Sequence, residues 1–192
     1  MKKLIVLFSA LLLTSQAFCQ TVVNCLIETS LGNIEIELYE DKAPVTVTNF
    51  LKYVDAELYE NSSFYRVCTL ENEAEREVKI EVIQGGDVDR SKAFDAIQLE
   101  TTKATGLQHE DGMLSMARTA QLHSATSHFF ICVGPQPELD HGGKRSADGQ
   151  GFAAFGKVTR GIDIVKEIQS GENNSRQRLL EPVTILSIKR VQ

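Results

Sequence analysis

Residues 124–134 read SATSHFFICVG, and two phenylalanines, Phe129 and Phe130, stand side by side within them. Successive side chains of a strand point to opposite faces. As a strand, this stretch turns one ring inward and the other outward, and Ile131, Cys132 and Val133 extend the apolar run. An antiparallel layer with one solvated face alternates apolar and polar residues. A strand apolar on both faces therefore needs a second cover, supplied either by the protein itself or by something it binds.

The flanking sequence supplies partners for such a strand. Residues 22–41, VVNCLIETSLGNIEIELYED, read as a hairpin, with Ile34, Ile36 and Leu38 alternating with Glu35 and Glu37 and SLGN as the turn. DKAPVTVTNFLKYVDAELY (41–59) reads as a helix. Pro44 suits its first turn, Asp41 its positive N-terminal end, and Val47, Phe50, Leu51 and Val54 its apolar face. Short apolar runs follow, broken by turns: SFYRV, EVKIEVIQGG, AIQLETT, GMLSMAR, HFFICVG, GFAAFGKV and EPVTILSIKRV. A second helix, RGIDIVKEIQSG (160–171), carries Ile162, Val165 and Ile168 on one face and ends at Gly171. Many short strands with Gly-rich turns imply a barrel or a sandwich, here with two helices to cap it.

The chain has 192 residues, 42% hydrophobic and 24% charged, which fits one domain with a sizeable core. Its formal charge of −6 and the lack of any basic cluster exclude nucleic acid as a partner. Lys2 and Lys3 precede the largely apolar run Leu4–Leu13, too short for the ~20 residues that span a bilayer. Residues 1–20 are therefore expected to be a secretory signal, cleaved after Ala17 or Cys19, with residues 21–192 as the domain. Cys19 offers an alternative, a lipid-anchored cysteine, which the bulky Phe18 disfavours. The expected location is periplasmic or secreted, and the final KRVQ is no ER-retention tag. Four cysteines do not make a dense disulfide framework. A Cys25–Cys68 bridge is conceivable in an oxidising compartment, and Cys132 is expected in the core.

Two segments stand apart. The glutamate-rich LENEAEREVKIE (70–81) reads as a solvated hairpin or loop, and HGGKRSADGQG (141–151) as a polar Gly-rich loop. His141 beside Asp140 lacks the spaced partners that a metal site needs, so neither metal nor cofactor is expected.

Taken in order, FYRV, VIQGGD, GMLSMAR, SHFFICVG, ELDHGG and GFAAFGKVTRGIDIVKEI resemble the cyclophilin family of peptidyl-prolyl cis–trans isomerases over residues 22–192. The resemblance implies a closed eight-stranded antiparallel β-barrel capped by two α-helices. It implies Arg66 as the catalytic residue and Gln84 as the group that holds the substrate carbonyl and the arginine. It implies an apolar proline pocket of Phe64, Phe130, Leu139 and Phe152, with Ala117 and Arg118 on an edge that pairs with substrate backbone. Phe130 is then the outward ring of the pair and floors a shallow groove. Several positions depart from the family pattern. Phe152 replaces a usual histidine, Arg118 an asparagine and His128 a groove-side glutamine, which is read as a neutral polar contact. Glu81 falls at or near an aromatic pocket position. Glu138 falls where many members carry a tryptophan that contacts cyclosporin, and this chain has no tryptophan, so weak cyclosporin binding is expected.

The chemistry follows from the residue types. Rotation about an X–Pro bond faces a barrier of ~18–20 kcal/mol from amide conjugation. No bond is made or broken, so neither nucleophile nor metal is required. As the bond twists, the lone pair returns to the prolyl nitrogen, and a fixed donor aimed there favours the twisted state over both planar ones. A guanidinium is always charged and presents several donors from one plane, so a rate nearly flat over about pH 6–8 is expected. The expected partners are proline-containing polypeptides, bound by a monomer through a shallow groove of broad specificity. Two alternatives are weighed. One is a hydrolase using Ser115, His109 and Asp111, or Ser127 and His128; neither set sits in a nucleophile elbow. The other is a weakly active or inactive proline-binding module of the same fold.

Overall fold

The computed structural model describes residues 22–191; the expected signal segment lies outside the described residues. Eight antiparallel strands close into a barrel: β1 (Val22–Thr29), β2 (Asn33–Tyr39), β3 (Ser63–Cys68), β4 (Val82–Gly85), β5 (Met113–Met116), β6 (Phe129–Cys132), β7 (Ala153–Arg160) and β8 (Arg178–Val191). Around the barrel they run β1-β2-β7-β5-β6-β4-β3-β8. The pairs Cys25–Ile36 and Ile27–Ile34 align the buried residues of the first hairpin on its inner face.

The two foreseen helices are α1 (Pro44–Asp55) and α3 (Ile162–Gln169), and a short α2 (Thr102–Thr105) lies between them in sequence. Helix α1 presents Val47, Phe50, Leu51 and Val54 to the barrel core. Its N-terminal N–H groups are not met by Asp41, which is exposed, and no acidic residue lies in the first turn. Glu100, 54 residues beyond Thr46, caps them, accepting from the Val45 N–H (3.1 Å), the Thr46 N–H (2.8 Å) and the Thr46 hydroxyl (2.6 Å). A carboxylate at that end stabilises a helix wherever it comes from. The run AIQLETT does not form a strand. It contributes one isolated bridge, Ile97 to Ala125, and then Thr101 caps α2 by accepting from the Ala104 N–H.

The barrel wall separates two apolar clusters. Inside, Phe50 lies 5.2–5.4 Å, centroid to centroid, from the rings of Tyr59, Phe129 and Phe155. Outside, Phe130 packs with Val82, Met113, Cys132, Leu139, Ala154, Cys68 and Ile80. Strand β6 therefore alternates strictly, with Phe129 and Ile131 inward and Phe130 and Cys132 outward.

Strand β3 breaks that alternation, and the break positions the site. Phe64 pairs with Gly85 but Arg66 with Gln84, so an extra residue bulges between them. Phe64 and Val67 both face the interior. Tyr65 and Arg66 are consequently both turned outward, the re-aiming that a bulge produces. Gly86, at φ +79°, tucks against the neighbouring strand so closely that a Cβ there would lie 2.6 Å from the Ser127 carbonyl oxygen.

Cys25, Cys68 and Cys132 are all free and buried. Cys25 belongs to the inner cluster and Cys68 to the outer one, so the wall itself stands between the two thiols and the conceivable bridge does not form. Burial raises the thiol pKa of Cys25 to about 12 and of Cys68 to about 11. Residues 70–81, expected as a solvated hairpin or loop, instead bury Glu73 and Ile80.

Candidate active site

Arg66 stands half-buried on the outer face of the barrel, between two glutamines. Its Nη1 donates to Gln84 Oε1 at 2.7 Å, while its Nε (3.2 Å) and Nη2 (2.5 Å) donate to Gln177 Oε1. A guanidinium has five N–H donors. Three are used here, and the two that remain are on the terminal nitrogens.

A relay continues beyond Gln84. Its Nε2 donates to the Tyr65 hydroxyl at 2.7 Å, and Tyr65 in turn lies 3.0 Å from His128 Nδ1. Because Gln84 offers its oxygen to Arg66, its amide end must face Tyr65, which leaves the tyrosine hydrogen for His128. Nδ1 is then an acceptor and the imidazole is neutral. Burial supports this by pushing the His128 pKa below its ordinary value, and by raising that of Tyr65, which stays a hydroxyl. Arg178 sits over the Tyr65 ring at 4.4 Å and helps to fix it.

The apolar side of the site is built around Phe130. His109 stacks against its ring (6.0 Å between centroids, 15° between planes) and Phe152 meets it edge-on at 5.7 Å. Leu139, on a 3-10 turn, Val82 and Met113 complete the cluster, with Ala117 and Phe152 partly exposed at its margin. Phe130 is only 5% exposed, so most of its cover is the protein's own. Beside it opens a cleft of about 340 Å³, whose lining includes Tyr65, Gln84, Ala117, Arg118 and His128.

The structure thus brings Arg66, Gln84, Ala117, His128, Phe130, Leu139 and Phe152 to one face. It does not bring Phe64 there. Phe64 is 0% exposed, lies inside the barrel and packs edge-on against Phe129 at 5.7 Å. The bulge that turns Tyr65 and Arg66 outward leaves Phe64 inward. Val82 and Met113 join the apolar cluster instead, and Ile80 and Val82 point into it while Glu81 between them does not. The Ala117 N–H is already donated to the His128 carbonyl at 2.9 Å, so backbone pairing with a substrate must use other groups of that edge.

Arg118 lines the cleft, but its guanidinium is engaged by the protein itself. Its guanidinium lies 5.2 Å from the Phe152 ring centroid and donates to the Gly151 carbonyl, Ser146 Oγ and Asp148 Oδ1. It therefore pins the Gly-rich loop 141–151 and holds the Phe152 wall. The Arg118 guanidinium, with the Gln150 N–H, holds the Asp148 carboxyl down at about 2. Glu138 is half-buried and accepts from the Lys144 N–H at 2.8 Å.

The serine–histidine alternative meets a different geometry from the one expected. His109 contacts Asp140 Oδ1 at 2.6 Å and Ser115 Oγ at 2.9 Å, while Asp111 accepts from the Gly134 N–H. Ser115 is 0% exposed, so this trio cannot meet a substrate and instead supports the ring of Phe130 from beneath. The His141 N–H is donated to Thr102 Oγ1.

Sequence reasoning missed Tyr65, Gln177 and Glu73. Tyr65 is placed by the bulge, which leaves no mark on local periodicity. Gln177 lies 111 residues from Arg66, in a turn with a left-handed φ of +64°.

Residues 25–190 match the family model described as cyclophilin type peptidyl-prolyl cis-trans isomerase/CLD. A peptidyl-prolyl cis-trans isomerase of Acinetobacter baylyi is 33% identical over 98% of this chain and 95% of its own length. The peptidyl-prolyl cis-trans isomerase cyp18 of Streptomyces antibioticus is 36% identical over 85% of this chain and 95% of its own. A Cryptosporidium parvum cyclophilin type isomerase shares the fold, with a TM-score of 0.72 at 21% identity over 90% of this chain and 99% of that one. That protein has also been crystallised in the presence of the dipeptide Ala-Pro. A closed barrel with these strands and helices, matched along nearly its whole length by isomerases of one kind, makes this chain a member of the cyclophilin-type peptidyl-prolyl cis–trans isomerase family.

Proposed function

We propose that this isomerase acts on X–Pro bonds of exported polypeptides, as a monomer, with Arg66 as the catalytic residue. The observation that carries the reading is the state of the Arg66 guanidinium: three of its donors are fixed by Gln84 and Gln177, and two remain on the terminal nitrogens. Proline would sit against the margin of the Phe130 cluster, between Ala117 and Phe152. As the imide bond twists, its nitrogen gains a lone pair that accepts from Arg66, and Gln84 keeps the guanidinium turned toward it. The donors are already ordered, so the twisted state gains the hydrogen bond without reorganisation. The remaining backbone groups near Ala117 would hold the flanking peptide without reading its sequence.

The test is prolyl isomerisation of a model peptide followed by NMR exchange. Arg66→Ala should lower kcat/KM by about 10²–10³-fold, the scale for loss of one preorganised donor, with peptide affinity retained. An unchanged rate in Arg66→Ala would refute the catalytic role. A second reading, a weakly active proline-binding module, is favoured by the small exposure of Phe130. It predicts equal, low rates for both proteins alongside measurable peptide binding. Glu138 in the position of the family tryptophan supports weak cyclosporin binding. Export would follow from residues 1–20, and mass spectrometry of the mature N-terminus distinguishes cleavage after Ala17 or Cys19 from a lipid on Cys19.

A further inference from the structure

Behind Arg66 lies a carboxylate that no motif announces. Glu73, supplied by the inserted segment 70–81, is 1% exposed. Its Oε1 takes Arg145 Nη2 (2.5 Å) and Gln177 Nε2 (2.9 Å), and its Oε2 takes Arg145 Nη1 (2.8 Å) and the Ile80 N–H (2.8 Å). Gln177 is itself buried, and its Oε1 faces Arg66.

A carboxamide has one accepting end and one donating end. Reversed, Gln177 would set its NH₂ against the guanidinium and its oxygen against a carboxylate. Both contacts would be repulsive, so Glu73 locks Gln177 in the one orientation that serves Arg66. On the opposite side Gln84 also offers its oxygen to Arg66, with its Nε2 donated to the Tyr65 hydroxyl. The guanidinium is thus held at two edges by glutamine oxygens, and at the Gln177 edge a carboxylate sets the direction from behind. Burial alone would raise the Glu73 pKa, but Arg145, the Ile80 N–H and Gln177 outweigh it and hold the carboxyl below its ordinary value. Gln177 also sits at a backbone φ of +64°, a strained conformation for a side-chain-bearing residue of the kind that gathers at functional sites.

We propose that Glu73 and Gln177 are positioning residues for catalysis: the insertion delivers a buried anion that orients Gln177, and Gln177 fixes the plane of the Arg66 guanidinium. This rests on Arg66 being the catalytic residue.

The experiment measures kcat/KM, peptide Kd and the Arg66 Nε–H NMR signal in Gln177→Met and Glu73→Gln, each alone and combined with Arg66→Ala. Gln177→Met keeps the volume and removes the acceptor. It should lower kcat/KM by about tenfold, within the ~10²-fold that misplacing an oriented group can cost. Peptide Kd should stay within about threefold, and the Nε–H signal should lose its protection from exchange. Glu73→Gln should show the same pattern more weakly, because the amide keeps an acceptor but loses the charge; it also serves should Gln177→Met not fold. In the Arg66→Ala background neither substitution should lower kcat/KM further, since residues acting through one group are non-additive. Equal losses with and without Arg66, or unchanged kcat/KM in both single variants, would overturn the proposal. If Arg66→Ala alone leaves the rate unchanged, the reading of the site fails first and this inference falls with it.

Discussion

His128 Nδ1 lies 3.0 Å from the hydroxyl of Tyr65, the last link of a relay that runs from Arg66 through Gln84. The relay has one polarity: each group donates to the next, and it ends on an acceptor. Protonated His128 has no acceptor to offer. Burial pushes its pKa down, so the folded state resists the proton that the unfolded chain takes up near its ordinary ~6.5. The unfolded state then binds more protons below that value, and stability falls as pH drops. From about pH 7 to 8 both Tm and kcat/KM should be flat; below about pH 6.5 Tm should fall, and less so in His128→Gln. Thermal melts and isomerase rates across this range check it. A Tm that rises on acidification through pH 6 would contradict the assignment.

Phe129 and Phe130 differ in what they hold together, and substitution should separate them. Phe129 is ringed by Phe50, Tyr59 and Phe64 inside the barrel. Phe129→Ala should cost about 3–5 kcal/mol of stability through the cavity left behind. Phe130→Leu, a milder change of shape outside the barrel, should cost under about 1.5 kcal/mol. It should weaken peptide binding more than it weakens the fold. Denaturant titration together with peptide Kd distinguishes the two. If Phe129→Ala weakens peptide binding more than Phe130→Leu does, the inner and outer assignments are wrong.

The alternation of β6 was legible because strand period and apolar composition coincide there, and the same holds for the first hairpin and the face of α1. The barrel and the outer face of Phe130 follow from that pattern joined to the family motifs. The inward turn of Phe64 is hidden because a bulge changes the parity of a strand without altering its composition. Asp41 is near α1 in sequence, whereas Glu100 performs the capping role through tertiary contact. Glu73 and Gln177 were illegible for the same reason: a buried glutamate within a run of exposed ones has no local signature. Only the fold reveals that Arg145 and Gln177 converge on it.

Arg118 should act on the shape of the cleft rather than on the twisting bond. Its guanidinium ties Gly151, Ser146 and Asp148 together over Phe152. Arg118→Ala should raise KM several-fold, by about 3–10-fold for a contact worth ~1 kcal/mol, with kcat little changed. Asp148→Asn should follow it in the same direction. The Asp148 carboxyl, held at about 2, contributes its stability above the unfolded value near 3.9 and loses it as pH falls toward 2. Steady-state kinetics of both variants decide the matter, and a fall in kcat at constant KM would place Arg118 in the chemistry instead.

Ser115, His109 and Asp140 have the contacts of a hydrolytic trio, yet burial forbids the reaction. Ser115 is 0% exposed and the stacked Phe130 ring lies over His109. An activated serine needs an open approach for the acyl group as well as a base. A fluorophosphonate probe should therefore leave the folded protein unlabelled. Asp140→Asn should lower stability by about 1–3 kcal/mol, because it weakens a buried charge-assisted hydrogen bond to His109. It should also disturb peptide binding through the ring that His109 supports. The accompanying change in kcat should be small, since Ser115 and His109 are buried beneath the Phe130 ring. Labelling of Ser115 in the native protein, shown by peptide mass mapping, would restore the hydrolase reading. A large loss of kcat with unchanged peptide affinity in Asp140→Asn would instead place the trio in the chemistry, and not merely beneath it.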